Sequence, residues 1–375
     1  MSRIRTVGVD LNASHVRLHN FLERRTLRAL AVALARFAGG LLTGRWQPMQ
    51  VLLFSNPDEL RRVMEQIRSA SPNTVYLDSV RTAALVPLIR RTSPDCRIVM
   101  DFDDLMSRRF RIWIAQRLPV SIGYLASHFP AGFARWLERS SLLRALLRYE
   151  ARALEEQEGF IADRANAIVL VSPADASLLA SRKPDARTKI QAITPPADAV
   201  EPTSYVEEPV RFAFVGSDSL IQNRLSLEFL LERWRTLKPT AVLDIYGRMH
   251  GRYEIPTNVR FHGFVDDLRA GVRGAVFLVP SFVGGGVKTK VLDGFASGCA
   301  VAGNRCTFEG FDLPNYPLVV ETGNEIDALI TAPAASLERL RAAAEMGRQI
   351  AAGPLSFHTF ARRWKSVLAP AAASS

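Results

Sequence analysis

Val276–Cys299 reads VFLVPSFVGGGVKTKVLDGFASGC. An apolar run of strand character leads into three consecutive glycines, Gly284, Gly285 and Gly286, and a helix is expected to begin near Val287 or Lys288 and to run to Gly298. Glycines adopt turn geometries closed to other residues and let a backbone approach a ligand closely. The start of the following helix offers unpaired N–H groups and a partial positive charge. Lys288 and Lys290 add full charges there, although lysine opposes the helix dipole in a first turn, so an anion beside them would explain their presence. Strand, glycine turn, helix start and lysines together make a seat for a diphosphate. The spacing differs from G-x-x-x-x-G-K-[ST], which excludes a nucleotide-triphosphate P-loop.

The same alternation extends outward in both directions. Strand candidates in the second half are 211–216, 242–247, 259–263, 276–280, 300–303 and 318–321. In the first half they are 5–11, 50–55, 74–79, 97–102, 167–172 and 189–194. Most are continuous apolar runs, as parallel strands covered on both faces require. Helical patterns separate them, so each half reads as a doubly wound α/β unit. At 375 residues the chain also exceeds the size at which one core keeps growing. Pro195–Pro209 is the expected linker. Two such units place a cleft at the carboxyl ends of their strands, where ligands bind in open α/β folds.

Order and content of these blocks resemble the GT-B-fold glycosyltransferases, especially glycosyltransferase family 4 and related bacterial exopolysaccharide enzymes. FAFVG (212–216), LDIYG (243–247), VRFHGFVDDL (259–268) and GGGVKTKVLDGFASGCAV (284–301) follow in the family's order. The last helix, FHTFARRWKSVL (357–368), resembles the one that crosses back onto the first domain. The resemblance implies two Rossmann-like domains facing a central cleft. Their expected extents are 1–200 for the acceptor domain, with a basic amphipathic insertion at about 107–149, and 201–355 for the nucleotide-sugar domain, followed by a returning helix and tail at 356–375.

It also implies a donor site for a nucleoside-diphosphate sugar, with a UDP-sugar favoured, and neither cofactor nor metal. Gly285, Gly286, Lys288 and Lys290 would hold the diphosphate, and Asp293 the ribose. The family often carries two glutamates across this loop and helix; here Gly285 stands at the first position and Asp293 at the second, which leaves the sugar and the stereochemistry open. Gly216, Ser217 and Arg224, where a second helix is expected to start, form the other phosphate loop. Phe264 and Val265 stand where relatives hold the base.

In the first half, DFDDLMSRR (101–109) follows an apolar strand. Asp101 or Asp103 is the candidate acceptor base, because a base must lie within hydrogen-bonding reach of the hydroxyl it deprotonates. Asp104 is expected to cap the helix that follows. Arg108 and Arg109 are candidates to hold an anionic acceptor. His15 and His19 are the next candidates for the base.

The formal charge of +11 favours an anionic partner. Residues 107–149 hold eight arginines against one acid, Glu138, with Phe110, Trp113, Tyr124, Phe129, Phe133 and Trp136 among them. Arg17, Arg24, Arg25, Arg28 and Arg36 fall within a helical sector of roughly 120°. Such faces suit an anionic membrane surface or form the solvated rim of helices that cap a sheet. No nucleic-acid-binding motif is present. Cys96, Cys299 and Cys306 have no metal-ligand spacing and fit a reduced compartment. No secretory leader or spanning segment is legible, so the expected location is cytoplasmic, peripheral on the inner membrane face. The expected acceptor is a lipid-linked saccharide or oligosaccharide in surface polysaccharide synthesis. A sugar-nucleotide epimerase and a catalytically silent nucleotide- or glycan-binding protein share the architecture.

Overall fold

A computed structural model of the chain describes residues 16–19, 27–43, 46–118, 140–198 and 200–369. The strand expected at 5–11, His15, Arg24, Arg25, and Tyr124, Phe129, Phe133, Arg135, Trp136, Glu138 and Arg139 lie outside them. The described chain divides into two compact units. One comprises the residues up to Leu170, Ala176–Ile193 and the chain from Ala361 on; the other comprises Val171–Asp175 and Thr194–Phe360.

The first unit contains α1 (Leu27–Thr43), α2 (Met49–Leu52), α3 (Pro57–Ala70), β1 (Thr74–Asp78), α4 (Leu85–Thr92), β2 (Arg97–Asp101), α5 (Met106–Ala115), α6 (Ser141–Arg164), β3 (Ala167–Leu170), most of α7 (Pro173–Arg182) and β4 (Ile190–Ala192). Its described strands pair in parallel in the order β1-β2-β3-β4. The helix signals are local: Asn56 caps α3 by accepting from Asp58 N at 3.1 Å, with Pro57 in the first turn and Ser71 in a left-handed conformation at the end. β3 is buried throughout, as a strand covered on both faces must be.

The second unit contains β5 (Phe212–Val215), α8 (Ile221–Leu237), β6 (Leu243–Tyr246), β7 (Val259–Gly263), α9 (Leu268–Val272), β8 (Val276–Leu278), α10 (Thr289–Ala296), β9 (Ala300–Ala302), α11 (Arg305–Phe308), α12 (Gly323–Thr331) and α13 (Leu337–Ala352). The last helix, α14 (Phe357–Leu368), starts in this unit and ends in the first. The sheet is parallel, in the order β7-β6-β5-β8-β9. α8 turns Leu227, Leu230, Leu231 and Trp234 inward at helical spacing. Trp234 and Phe212 meet edge to face at 5.8 Å, both wholly buried; each such side chain contributes about 1.5–3 kcal/mol by leaving water.

Three expectations change. Residues 50–55 do not form a strand: α2 starts there because the buried Glu150 accepts from Met49 N (2.7 Å) and Gln50 N (2.9 Å), capping a helical turn. Residues 318–321 contribute only an isolated bridge, Gly303 to Val319. Pro195–Pro209 is no free linker. Ala197 N, Glu201 N, Tyr205 N and Glu207 N donate to Leu355 O, Ala296 O, Gly298 O and Gly274 O, fastening the stretch to the second unit, so the division falls at Ile193. Of the basic insertion expected at 107–149, residues 119–139 lie outside the described residues. Its two described ends lie in α5 and α6, which bury Phe110, Leu143 and Leu147 in the first unit's core.

Candidate functional site

In the second sheet the chain moves outward from β5 to β6 and β7, then returns to the other side of β5 for β8 and β9. β5 and β8 therefore flank the topological switch point, where parallel sheets bind ligands at their carboxyl ends. The loops leaving those two strands contain Gly216–Leu220 and the glycine turn.

In the turn, Gly285 has φ +98° and Gly286 +63°, values that strain any residue with a Cβ. Lys288 stands at the N-cap of α10 without a side-chain capping bond; Val291 N donates back to Lys288 O at 2.9 Å, and the N–H groups of Thr289 and Lys290 before it are oriented for an external acceptor. Lys288 folds back, its Nζ donating to Gly285 O at 2.8 Å, 3.7 Å from Glu309 Oε1. Lys290 does not face solvent. Its Nζ lies 4.6 Å from the centre of the Phe214 ring and donates to Asn223 Oδ1 at 2.8 Å. Burial lowers its pKa to about 8, Asp293 opposing the shift and Lys288 adding to it.

Asn223 Nδ2 in turn donates to Ser217 O at 3.0 Å. The two loops are thus joined through Lys290, Asn223 and Ser217. α8 begins at Ile221, three residues before the expected start, and this places Arg224 in its first turn, exposed, 4.0 Å from Glu228. The buried residue of that turn is Asn223, which the expected phosphate loop included without a role. Asp293 is exposed on α10. Phe264, exposed, and Val265, packed against the core, follow β7; the Arg248 guanidinium lies 5.3 Å from the centre of the Phe264 ring.

Two carboxylates that the sequence did not single out organise this end of the sheet. Asp218 accepts from His250 N (2.9 Å), Gly251 N (2.7 Å) and Tyr253 Oη (2.9 Å), tying the loop after β6 to the loop after β5. Burial pushes its pKa up, but these donors and the His250 ring outweigh it and hold the carboxyl well below its usual range. Glu309 accepts a hydrogen bond from Gly285 N.

In the first unit, Asp101 ends β2. Its Oδ2 accepts from Tyr76 Oη at 2.7 Å and its Oδ1 from Asp103 N at 3.0 Å. Burial raises the Asp101 pKa, with Asp78 and Asp103 adding to the rise while the two hydrogen bonds oppose it. Asp103 is exposed, in a left-handed turn with φ +63°. Tyr76 stands edge-on to Trp364 of α14 at 5.7 Å.

Asp104 does not cap α5. It is buried and pairs with Arg109, so Arg109 has a partner within the chain. The N-cap is Leu105, with no side-chain bond. Glu158 holds the helix start instead, accepting from Ser107 N at 3.0 Å and Ser107 Oγ at 2.5 Å. Arg108 is half-buried. His19 donates its N–H to Glu59 at 3.5 Å, within the fold of the first unit. Among the described residues no group of three or more His, Cys, Asp or Glu side chains is placed to hold a metal ion.

Residues 209–339, less than half of the chain, match the family described as glycosyl transferases group 1. No curated protein sequence matches significantly. Among solved structures, the Anabaena protein HepE in complex with UDP is similar at 11% identity and TM-score 0.58, over 86% of this chain and 84% of that one. A glycosyltransferase from Rickettsia africae is similar at 14% identity and TM-score 0.56, over 84% and 83%. The lipopolysaccharide outer core galactosyltransferase WaaB, in its apo form, is similar at 12% identity and TM-score 0.52, over 82% and 78%. With its two parallel sheets, the chain has the GT-B glycosyltransferase fold and carries the group 1 glycosyltransferase match in its second unit.

Proposed function

We propose that the chain transfers a sugar from a nucleoside-diphosphate sugar, a UDP-sugar, to an acceptor hydroxyl, with the diphosphate seated on Gly285, Gly286, Lys288, Lys290 and the start of α10. The observation that carries this is the junction of both strand-end loops at the switch point through Lys290, Asn223 and Ser217. The match to group 1 glycosyltransferases and the UDP complex of HepE support it.

In the reaction the acceptor oxygen bonds to the anomeric carbon as the bond from that carbon to the phosphate oxygen breaks. The electron pair leaves with the diphosphate, and the hydroxyl proton passes to a carboxylate, Asp101 or Asp103, or to the departing phosphate. Two lysines and a helix start stabilise the departing charge. On this reading they do so with no metal and no cofactor.

The acceptor we propose is a lipid-linked saccharide at an anionic membrane surface, in bacterial surface polysaccharide synthesis. Leu34 and Leu42 project from α1 at 58% and 88% exposure, and Arg36 shares that helix. Some of the basic surface is already committed, since Arg111 pairs with Glu155 and Arg152 with Glu156. No described helix is long and apolar enough to cross a membrane, so attachment through this surface would be peripheral.

Incubation of the purified chain with radiolabelled sugar nucleotides and bacterial lipid extract tests the reading. The expected result is label in the lipid fraction with release of nucleoside diphosphate. An isomerised nucleotide sugar without transfer would identify an epimerase, and binding without turnover a silent receptor; either outcome sinks the transferase reading.

A further inference from the structure

Position 285, at the tip of the turn, has no side chain, yet a carboxylate reaches it from elsewhere in the chain. Glu309 follows α11 in a segment sewn to the end of β8. Asn304 Oδ1 accepts from Thr307 N at 3.1 Å and from Ser281 N at 3.3 Å, and its Nδ2 donates to Ser281 O at 2.8 Å. The hydroxyl of the wholly buried Thr307 donates to Val279 O.

Gly310 completes the approach. A Cβ there would stand 2.5 Å from Gly286 O and 2.9 Å from Val287 Cα, so only glycine lets this backbone press against the turn. The result is a carboxylate that accepts from Gly285 N and lies 3.7 Å from Lys288 Nζ, with its side chain 19% exposed. A Cβ built on Gly285 would meet nothing within 4 Å. The space on that side of the turn is open, and the Glu309 carboxylate meets the turn from its N–H side.

A nucleotide sugar whose diphosphate sits on Lys288 and the start of α10 carries its sugar next to the outer phosphate. Sugar hydroxyls donate hydrogen bonds, and an ionised carboxylate is the strong acceptor for them. We propose that Glu309, held beside Lys288 and the Gly285 N–H, contacts the donor sugar and helps to determine which sugar is accepted. This rests on the donor-site reading above. Lys288 offsets the repulsion between Glu309 and the diphosphate in the same arrangement.

The discriminating variant is Glu309→Gln. Its amide oxygen still accepts from Gly285 N, so the turn keeps its shape while one negative charge disappears. Calorimetry compares UDP with the best bound of UDP-glucose, UDP-galactose and UDP-N-acetylglucosamine. Glu309→Gln is expected to bind UDP at least as tightly as the wild type, because repulsion is removed. It should bind the sugar nucleotide about tenfold more weakly or worse, the effect of losing a charge-assisted hydrogen bond. Gly310→Ala, which displaces Glu309 and the turn together, should weaken both ligands. Equal weakening of both ligands in Glu309→Gln would make Glu309 a clamp on the loop and overturn the proposal, as would an unchanged ratio of the two affinities. A wild type that binds no UDP would instead bring down the donor-site reading, and this proposal with it.

Discussion

Replacing Asp218 by alanine is expected to lower the stability of the second unit by about 3 kcal/mol or more, since hydrogen bonds to a charged group contribute about 1.5–3 kcal/mol each and the orphaned donors lose their partner. Three protein donors besides the His250 ring converge on this carboxylate, and its side chain is 3% exposed. Urea unfolding followed by tryptophan fluorescence measures the loss; an unchanged midpoint would mean that the loops after β5 and β6 do not depend on it. The pH dependence has a definite sign. The folded pKa is depressed, so the contribution is present in full above the ordinary carboxyl value of 3.8 and is lost as pH falls toward the lowered value.

The second large effect concerns turnover. Asp103→Asn is expected to reduce transfer by about 10² or more if its exposed carboxylate takes the acceptor proton, the usual share of general-base catalysis. Affinity for UDP should not change, because Asp103 and Lys288 belong to different units. Asp101→Asn separates the alternatives. Asp101 is already engaged with Tyr76 and Asp103 N, so as a positioning residue it should show a smaller loss, whereas as the base itself it should show the larger one. Initial rates at saturating donor decide between them. Full activity in both variants would remove the base from this turn and leave the departing phosphate as the proton acceptor.

What could be read in the sequence was what local rules determine. The run from Val276 to Cys299 combines an apolar strand, glycines at positions that turn out to need positive φ, and a helix start; each is a short-range property. Continuous apolar runs such as Ala167–Leu170 likewise announced parallel strands. Residues 50–55 misled because their apolar run fits a strand as well as a helical turn, and Glu150, a hundred residues later, decides between them. The same limit hid the partners at the site. Nothing near Asn223 shows that Lys290 will meet it, and nothing near Glu309 shows that Gly310 and Thr307 will deliver it to Gly285. Asp104, placed one residue before Leu105, looked like a cap; its buried pairing with Arg109 and the reach of Glu158 to Ser107 are tertiary facts.

The central claim is that Gly285–Lys290 holds the diphosphate of a nucleotide sugar, and calorimetric titration of UDP into the wild type and Lys288→Ala tests it most directly. The wild type should bind UDP, and Lys288→Ala should weaken binding by about 1.5–3 kcal/mol, the range for a charge-assisted hydrogen bond. Wild-type affinity should also decline between pH 7 and 9, as Lys290 releases its proton near pH 8 and its attraction for the anion is lost. Equal UDP affinity in the wild type and Lys288→Ala, with no decline across that pH range, would contradict the placement of the donor site.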